Sequence, residues 1–190
     1  MAARHTDTRE EIVRIGTQLI KSHGYNAFSY ADISEQLQIK NAAVHYHFRG
    51  KEDLLAEILD QYIDQYQLLK KQLMQLNASA TFAIEKFIER YSVLVDASSI
   101  CIIGSIASDY NTLPESVKEK VHQLVTMVLK MVEDTLAAGK RSKEFQFNET
   151  PKTQALLVMT NLAAGVQLAR ITGKKDYDTI KRAIIRQLKE

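Results

Sequence analysis

The chain has one cysteine, no tryptophan, two prolines and seven glycines in 190 residues. A single Cys101 rules out an intrachain disulfide and a cysteine-rich metal site, and it suits a reducing, cytoplasmic setting. Only Pro114 and Pro151 interrupt the chain, which is rich in Leu, Ile, Ala, Lys, Glu and Gln, so an all-α fold is expected. No run of about eighteen apolar residues marks a membrane span. The first residues, with Arg4, His5, Asp7, Arg9, Glu10 and Glu11, do not resemble a signal peptide. A hydrophobic fraction of 45% is enough for a packed core without staples.

Charge excess is also lacking. The net charge is +2, from 25 basic and 23 acidic residues. Any surface that attracts an anionic polymer must therefore arise from how charges are arranged on helix faces. Four of the five histidines, His5, His23, His45 and His47, fall in the first 54 residues.

Helical periodicity is present almost throughout. Ile12, Ile15, Leu19 and Ile20 share one face of a helix over 6–23, with Thr6 or Asp7 as its cap and Gly24 as a left-handed terminator. Ser29, with Asp32 three residues on, opens a short helix through Leu37. A second short helix is expected over 41–47, and a long one over 50–76, whose apolar positions from Leu54 to Leu76 outrun a small bundle and so bridge two domains. Further helices are expected near 80–97, 101–110, 115–139, 151–172 and 176–189, with a break from Gly139 to Asn148.

Residues 29–48 have the layout of a helix-turn-helix, in which the second of two short helices enters the major groove. Phe28, Ile33, Leu37, Ile39, Val44 and Phe48 supply an inner face. Lys40, Asn41, Ala42, Ala43, His45, Tyr46 and His47 give the second helix small or hydrogen-bonding groups. Lys40 can reach guanine acceptors, Asn41 an adenine edge, and an alanine methyl a thymine methyl. Ser29, Tyr30, His45, Tyr46 and Lys51 are the candidate phosphate donors. By spacing alone the same pattern fits any three-helix piece in which Tyr46 and His47 simply pack.

The run Thr8-Arg9-Glu10, Ile12-Val13, Gly16, Leu19-Ile20, Gly24-Tyr25, Phe28-Ser29-Tyr30, Asp32-Ile33, Leu37, Ile39, Val44-His45-Tyr46-His47-Phe48 and Lys51-Glu52-Asp53-Leu54 resembles the DNA-binding domain of the TetR family of bacterial repressors. The likeness implies a helix-turn-helix domain over 1–50 and a helical effector-binding and dimerisation domain over 51–190. Three positions depart from the family pattern. His45 stands where a phosphate-binding tyrosine is common, which makes that contact sensitive to protonation near pH 6 to 7. Gln38 takes a turn position often held by glycine, where a left-handed backbone costs a side chain about 1 kcal/mol. Asn41-Ala42 replaces a common Lys-Gly pair, so operator sequence does not transfer.

The resemblance further implies a ligand pocket among Tyr62, Tyr66, Phe87, Tyr91, Leu94, Ile102, Ile106, Tyr110, Met127, Met131, Met159 and Asn161, with an apolar or weakly polar effector. A stripe of Met and Tyr is, by itself, equally a plain core. A homodimer through the last two helices is implied, with Met159, Leu162, Val166, Ile180, Ile184 and Leu188 at the interface; the alternative is that both helices simply cover the monomer's own core. The implied partners are pseudo-palindromic operator DNA, a small molecule and a second copy, with no membrane, cofactor or metal. Cys101, between Ile100 and Ile102, reads as a small buried hydrophobe. An enzyme is not expected: His45 and His47 are two apart on a short helix, no His-Glu-x-x-His occurs, Glu-x-x-His is not found in a pair, and Cys101 has no histidine nearby in sequence. A regulator that works without any effector is the other alternative.

Overall fold

The computed structural model describes residues 7–189. Its described elements are α1 (Thr8–His23), α2 (Tyr30–Leu37), α3 (Asn41–His47), α4 (Lys51–Gln75), α5 (Ala80–Asp96), α6 (Ile102–Ala107), a 3-10 turn (Tyr110–Thr112), α7 (Glu115–Arg141), α8 (Pro151–Thr172) and α9 (Lys174–Gln187). The all-α class is as expected. Contacts divide the chain into two compact units, one of Met1–Tyr62 with Ile102–His122, the other of Ile63–Cys101 with Gln123–Glu190. Both α4 and α7 contribute to each unit.

In the first unit, α1 buries Ile12, Val13, Ile15, Leu19 and Ile20, and α4 buries Leu54, Leu55, Ile58 and Leu59 completely. Each such side chain contributes about 1.5–3 kcal/mol. The two helices approach closely because Gly16 has no side chain: a Cβ there would lie 2.8 Å from Leu54 Cδ2. Asp7 caps α1, accepting from the Arg9 amide at 3.0 Å; Thr6, the other candidate cap, lies outside the described residues. Gly24 ends α1 at φ 95°, ψ 163°, open to glycine but not the left-handed helical cap expected from sequence. Arg9 forks onto both oxygens of Glu57 at 3.0 and 2.6 Å and lies 5.0 Å over the Phe48 ring, fixing the first turn of α1 to α4.

The α2–α3 turn contains Gln38 at φ 54°, ψ 39°, in the left-handed region where a Cβ is crowded. Gln38→Gly should raise the unfolding free energy by up to about 0.5 kcal/mol, the relief of that crowding less the chain entropy of glycine. Thermal melts would register a gain of about 1–2 degrees with operator affinity unchanged.

In the second unit, Phe87, Ile88 and Tyr91 of α5, Val158, Leu162 and Val166 of α8, and Tyr177, Ile184 and Leu188 of α9 are buried. Helix α7 continues two residues past Gly139, against the expected break, because the missing side chain leaves room for the buried Phe145 ring, with which a Cβ would collide. The first turn of α5 is closed from outside. Glu144 accepts from the Ala80 and Thr81 amides at 3.2 and 2.8 Å and from the Ser142 hydroxyl at 2.9 Å. Those bonds, led by the Thr81 amide, hold its carboxyl at about 2, against an ordinary 4.5. Because the folded value is the lower one, the contribution is full above about pH 4.5 and disappears as pH falls toward 2. Glu144→Gln should cost about 1 kcal/mol at pH 7. Denaturant titrations of variant and parent should converge as the pH is lowered to 2.

Helix α8 is apolar on most of its circumference. By length and composition it could cross a bilayer, with a mean hydropathy of 1.3 over its most apolar window, of which 33% is buried. Leu157 and Leu168 are 45% and 47% exposed and Ile171 is 87% exposed. With exposed Asn161 and Ala164 they follow a 4-3-4-3 spacing along one face.

Candidate nucleic-acid interface

Helix α3 is held from below by Val44, fully buried, and by Phe48, which ends it. The remaining side chains therefore face outward. Lys40, Asn41, Ala42, His45 and Tyr46 are exposed, and Ala43 and His47 are half-buried. Tyr46 is 86% exposed, its ring edge-on to His47 at 5.3 Å, so it does not pack into the core. From Gln36 to Lys51 the sequence has no carboxylate, while Lys40, Arg49 and Lys51 are cationic. The balanced charge of the N-terminal segment is thus separated in space, with acids on α1, α2 and the start of α4 and none on the outward rod. Such a strip favours a polyanion.

Three candidate phosphate donors are occupied differently from expectation. Tyr30 is buried, and its hydroxyl donates to the Gly50 carbonyl at 2.5 Å, with its phenol pushed up by burial and then by Asp53 and Glu52. It supports the turn before α4 and stacks edge-on against His45 at 4.8 Å. Lys51 donates to the Phe28 carbonyl at 2.6 Å and lies over the rings of Phe28 and Tyr25 at 4.3 and 4.8 Å. Burial lowers its affinity for a proton, with Asp109 and Asp32 opposing. Ser29 is exposed, but its amide and hydroxyl both donate to Asp32 Oδ2, at 2.6 and 2.8 Å, so it caps α2. Sequence spacing had not singled out Arg49, exposed at the end of α3; the acid-free run was the available signal.

In the second unit Tyr66, Phe87 and Tyr91 form a ring cluster, with centroids 6.5 and 5.4 Å apart and Arg90 over Tyr66 at 4.7 Å. Burial pushes both phenols up. Met131 is buried, while Leu94, Met127 and Met159 are half-buried. Asn161 is exposed on α8 rather than gathered with the rings. Tyr62, Ile102, Ile106 and Tyr110 belong to the first unit; Ile102 and Ile106 are core, and Tyr110 is 39% exposed beside Lys118. Cys101 is 9% exposed. Among the described residues no group of three His, Cys, Asp or Glu is placed to hold a metal ion.

Most of the residues expected at a dimer interface are buried within the chain's own core instead. Leu162, Val166, Ile184 and Leu188 are at most 3% exposed, buried in the subunit's own core, and so cannot also face a partner. Ile180 remains accessible, lining with Asn161, Ala164, Leu168 and Ile171 an open depression of about 740 Å³.

Residues 12–58 match the family described as bacterial regulatory proteins, tetR family, and residues 83–185 match the tetracyclin repressor-like C-terminal domain. The chain belongs to the TetR family. This regulator is similar to a TetR transcriptional regulator from Legionella pneumophila, at 26% identity over 98% of this chain and 100% of that one, with a TM-score of 0.85. A TetR-family regulator from Agrobacterium tumefaciens is 24% identical over 95% and 97% of the two chains, with a TM-score of 0.87. FadR from Bacillus subtilis, solved with stearoyl-CoA, shares the fold at 15% identity over 94% and 96%, with a TM-score of 0.69. No curated protein matches in sequence. As a TetR-family transcriptional regulator, the protein carries its helix-turn-helix in α2 and α3.

Proposed function

We propose that this regulator is a cytoplasmic repressor that grips a pseudo-palindromic operator as a homodimer and is released by a small apolar or weakly polar ligand. The acid-free, outward-facing α3 is the observation that carries the reading. In it Lys40 and Asn41 read base edges, Ala42 and Ala43 allow close approach, and His45, Tyr46, His47 and Arg49 position the rod on phosphates. The functional division proposed is residues 1–50 for DNA and 51–190 for ligand and partner, although residues 102–122 pack with the first unit.

Dimerisation follows from the task, since one short helix spans a half-site only. The exposed α8 face of Leu157, Asn161, Ala164, Leu168 and Ile171 suits a two-fold seam, because it is mostly apolar and regularly spaced. For the ligand, the Tyr66-Phe87-Tyr91 cluster supplies apolar walls with polar tips. The B. subtilis structure with stearoyl-CoA is a precedent for a ligand in this fold. Ligand binding would shift α4 and move the two reading helices away from a separation of about 34–36 Å.

The linkage is reciprocal and so can be checked. A compound from a metabolite and drug panel that raises the melting temperature should lower operator affinity by the factor by which operator lowers affinity for the compound. Stabilising compounds that leave operator affinity unchanged would point to a regulator without ligand control.

A further inference from the structure

The turn between α1 and α2 is held from a segment more than eighty residues away. Asn26 donates its backbone amide to Asp109 Oδ2 at 3.1 Å and its side-chain amide to Asp109 Oδ1 at 3.0 Å and Thr112 Oγ1 at 3.1 Å. Thr112 in turn donates to the Asp109 carbonyl at 2.7 Å, closing the 3-10 turn that presents the carboxylate. Gly24, at φ 95°, takes a backbone conformation that side chains rarely adopt, beside Asp109 Oδ2. Lys51 holds the other end of the same turn through the Phe28 carbonyl, and the charge of Asp109 acts on it. All of these residues belong to the first unit.

We infer that Asp109, far outside the helix-turn-helix, is a positioning residue for operator binding, latching the turn that aims α2 and α3. The turn runs directly into Ser29, the cap of α2, and α2 and α3 pack on each other, so its orientation fixes that of the outward rod. Asp109 touches no base or phosphate in this role. It acts by restricting the directions in which α3 can point, so that a displacement of the 3-10 turn would reach the reading helices through the Asn26–Asp109 contact as well as through the packing of α6 on α1. The inference rests on the operator-binding reading above.

The test uses the full-length protein, duplexes selected by the parent protein from a random pool, and Asp109→Ala, Asp109→Asn, Asn26→Ala and the Asp109→Ala/Asn26→Ala double variant. Melting curves check that each variant folds. Each alanine variant should bind about tenfold more weakly, the scale of a lost charge-assisted pair. The double variant should bind no more weakly than either single one, because one latch is broken once. Asp109→Asn, which keeps an acceptor, should recover part of the loss. The slope of affinity against salt should match the parent's, since no phosphate contact is removed. Pools selected by Asp109→Ala should show a broadened spacing between half-sites, which a mere loss of stability would not produce. Parent-like affinity in Asp109→Ala, additive losses, a reduced salt slope or an unchanged spacing would each overturn the inference. Failure of the parent protein to select any duplex would instead remove the operator reading on which it rests.

Discussion

Ala42→Glu should reduce operator affinity by at least about a hundredfold while leaving the fold slightly more stable. Ala42 is exposed in the first turn of α3, a turn that contains no acid. A carboxylate there would interact favourably with the helix dipole, worth about 0.3–1 kcal/mol. Against DNA the same charge would face phosphates and base acceptors, and like charges set together at an interface cost several kcal/mol. The two effects have opposite signs, so the variant separates binding from folding. Fluorescence anisotropy with a selected duplex, paired with thermal melts, reads both. A loss of affinity accompanied by unfolding would mean that α3 is a packing element and not a reading one.

Leu168→Glu should dissociate the proposed dimer, shifting its equilibrium by about a hundredfold or more, with subunit stability changed by no more than about 0.5 kcal/mol. Leu162→Ala should do the reverse. Leu168 is 47% exposed, and in a two-fold seam each substituted residue would set its charge against the partner's apolar face. Leu162 is fully buried, and truncating it would leave a cavity costing about 2–5 kcal/mol in unfolding free energy. Sedimentation at several concentrations and denaturant melts distinguish the two outcomes. Dissociation by Leu162→Ala at full stability would place the interface on the face the structure shows as core.

The sequence made the helices legible because their signals are local. Asp7, Ser29 and Pro151 mark helix starts by their own chemistry, and the left-handed backbone at Gln38 followed from the family likeness, in which glycine is common at that turn position. The outward set on α3 was legible for the same reason, since Val44 and Phe48 fix which way a two-turn helix must face.

What sequence could not decide was the target of long or two-sided side chains. Periodicity cannot separate core from partner on α8, whose apolar residues surround the helix; only packing against α5 and α9 shows that Leu162 faces inward and Leu168 outward. Lys51 and Tyr30 carry polar tips on long stems, and tertiary neighbours, the Phe28 and Gly50 carbonyls, set where those tips go. The Asn26–Asp109 pair has no local signature, because its two halves meet only on folding. Gly139 looked like a helix stop until the buried Phe145 ring gave its missing side chain a packing reason.

The most direct measurement is selection of duplexes from a random pool by the purified full-length protein at modest ionic strength, followed by sequencing. Enrichment of inverted repeats, with half-site centres about one helical turn or a multiple apart, is the predicted result, abolished by Ala42→Glu. A pool that emerges unenriched, or one that Ala42→Glu enriches equally well, would contradict the assignment of α3 as the helix that reads DNA.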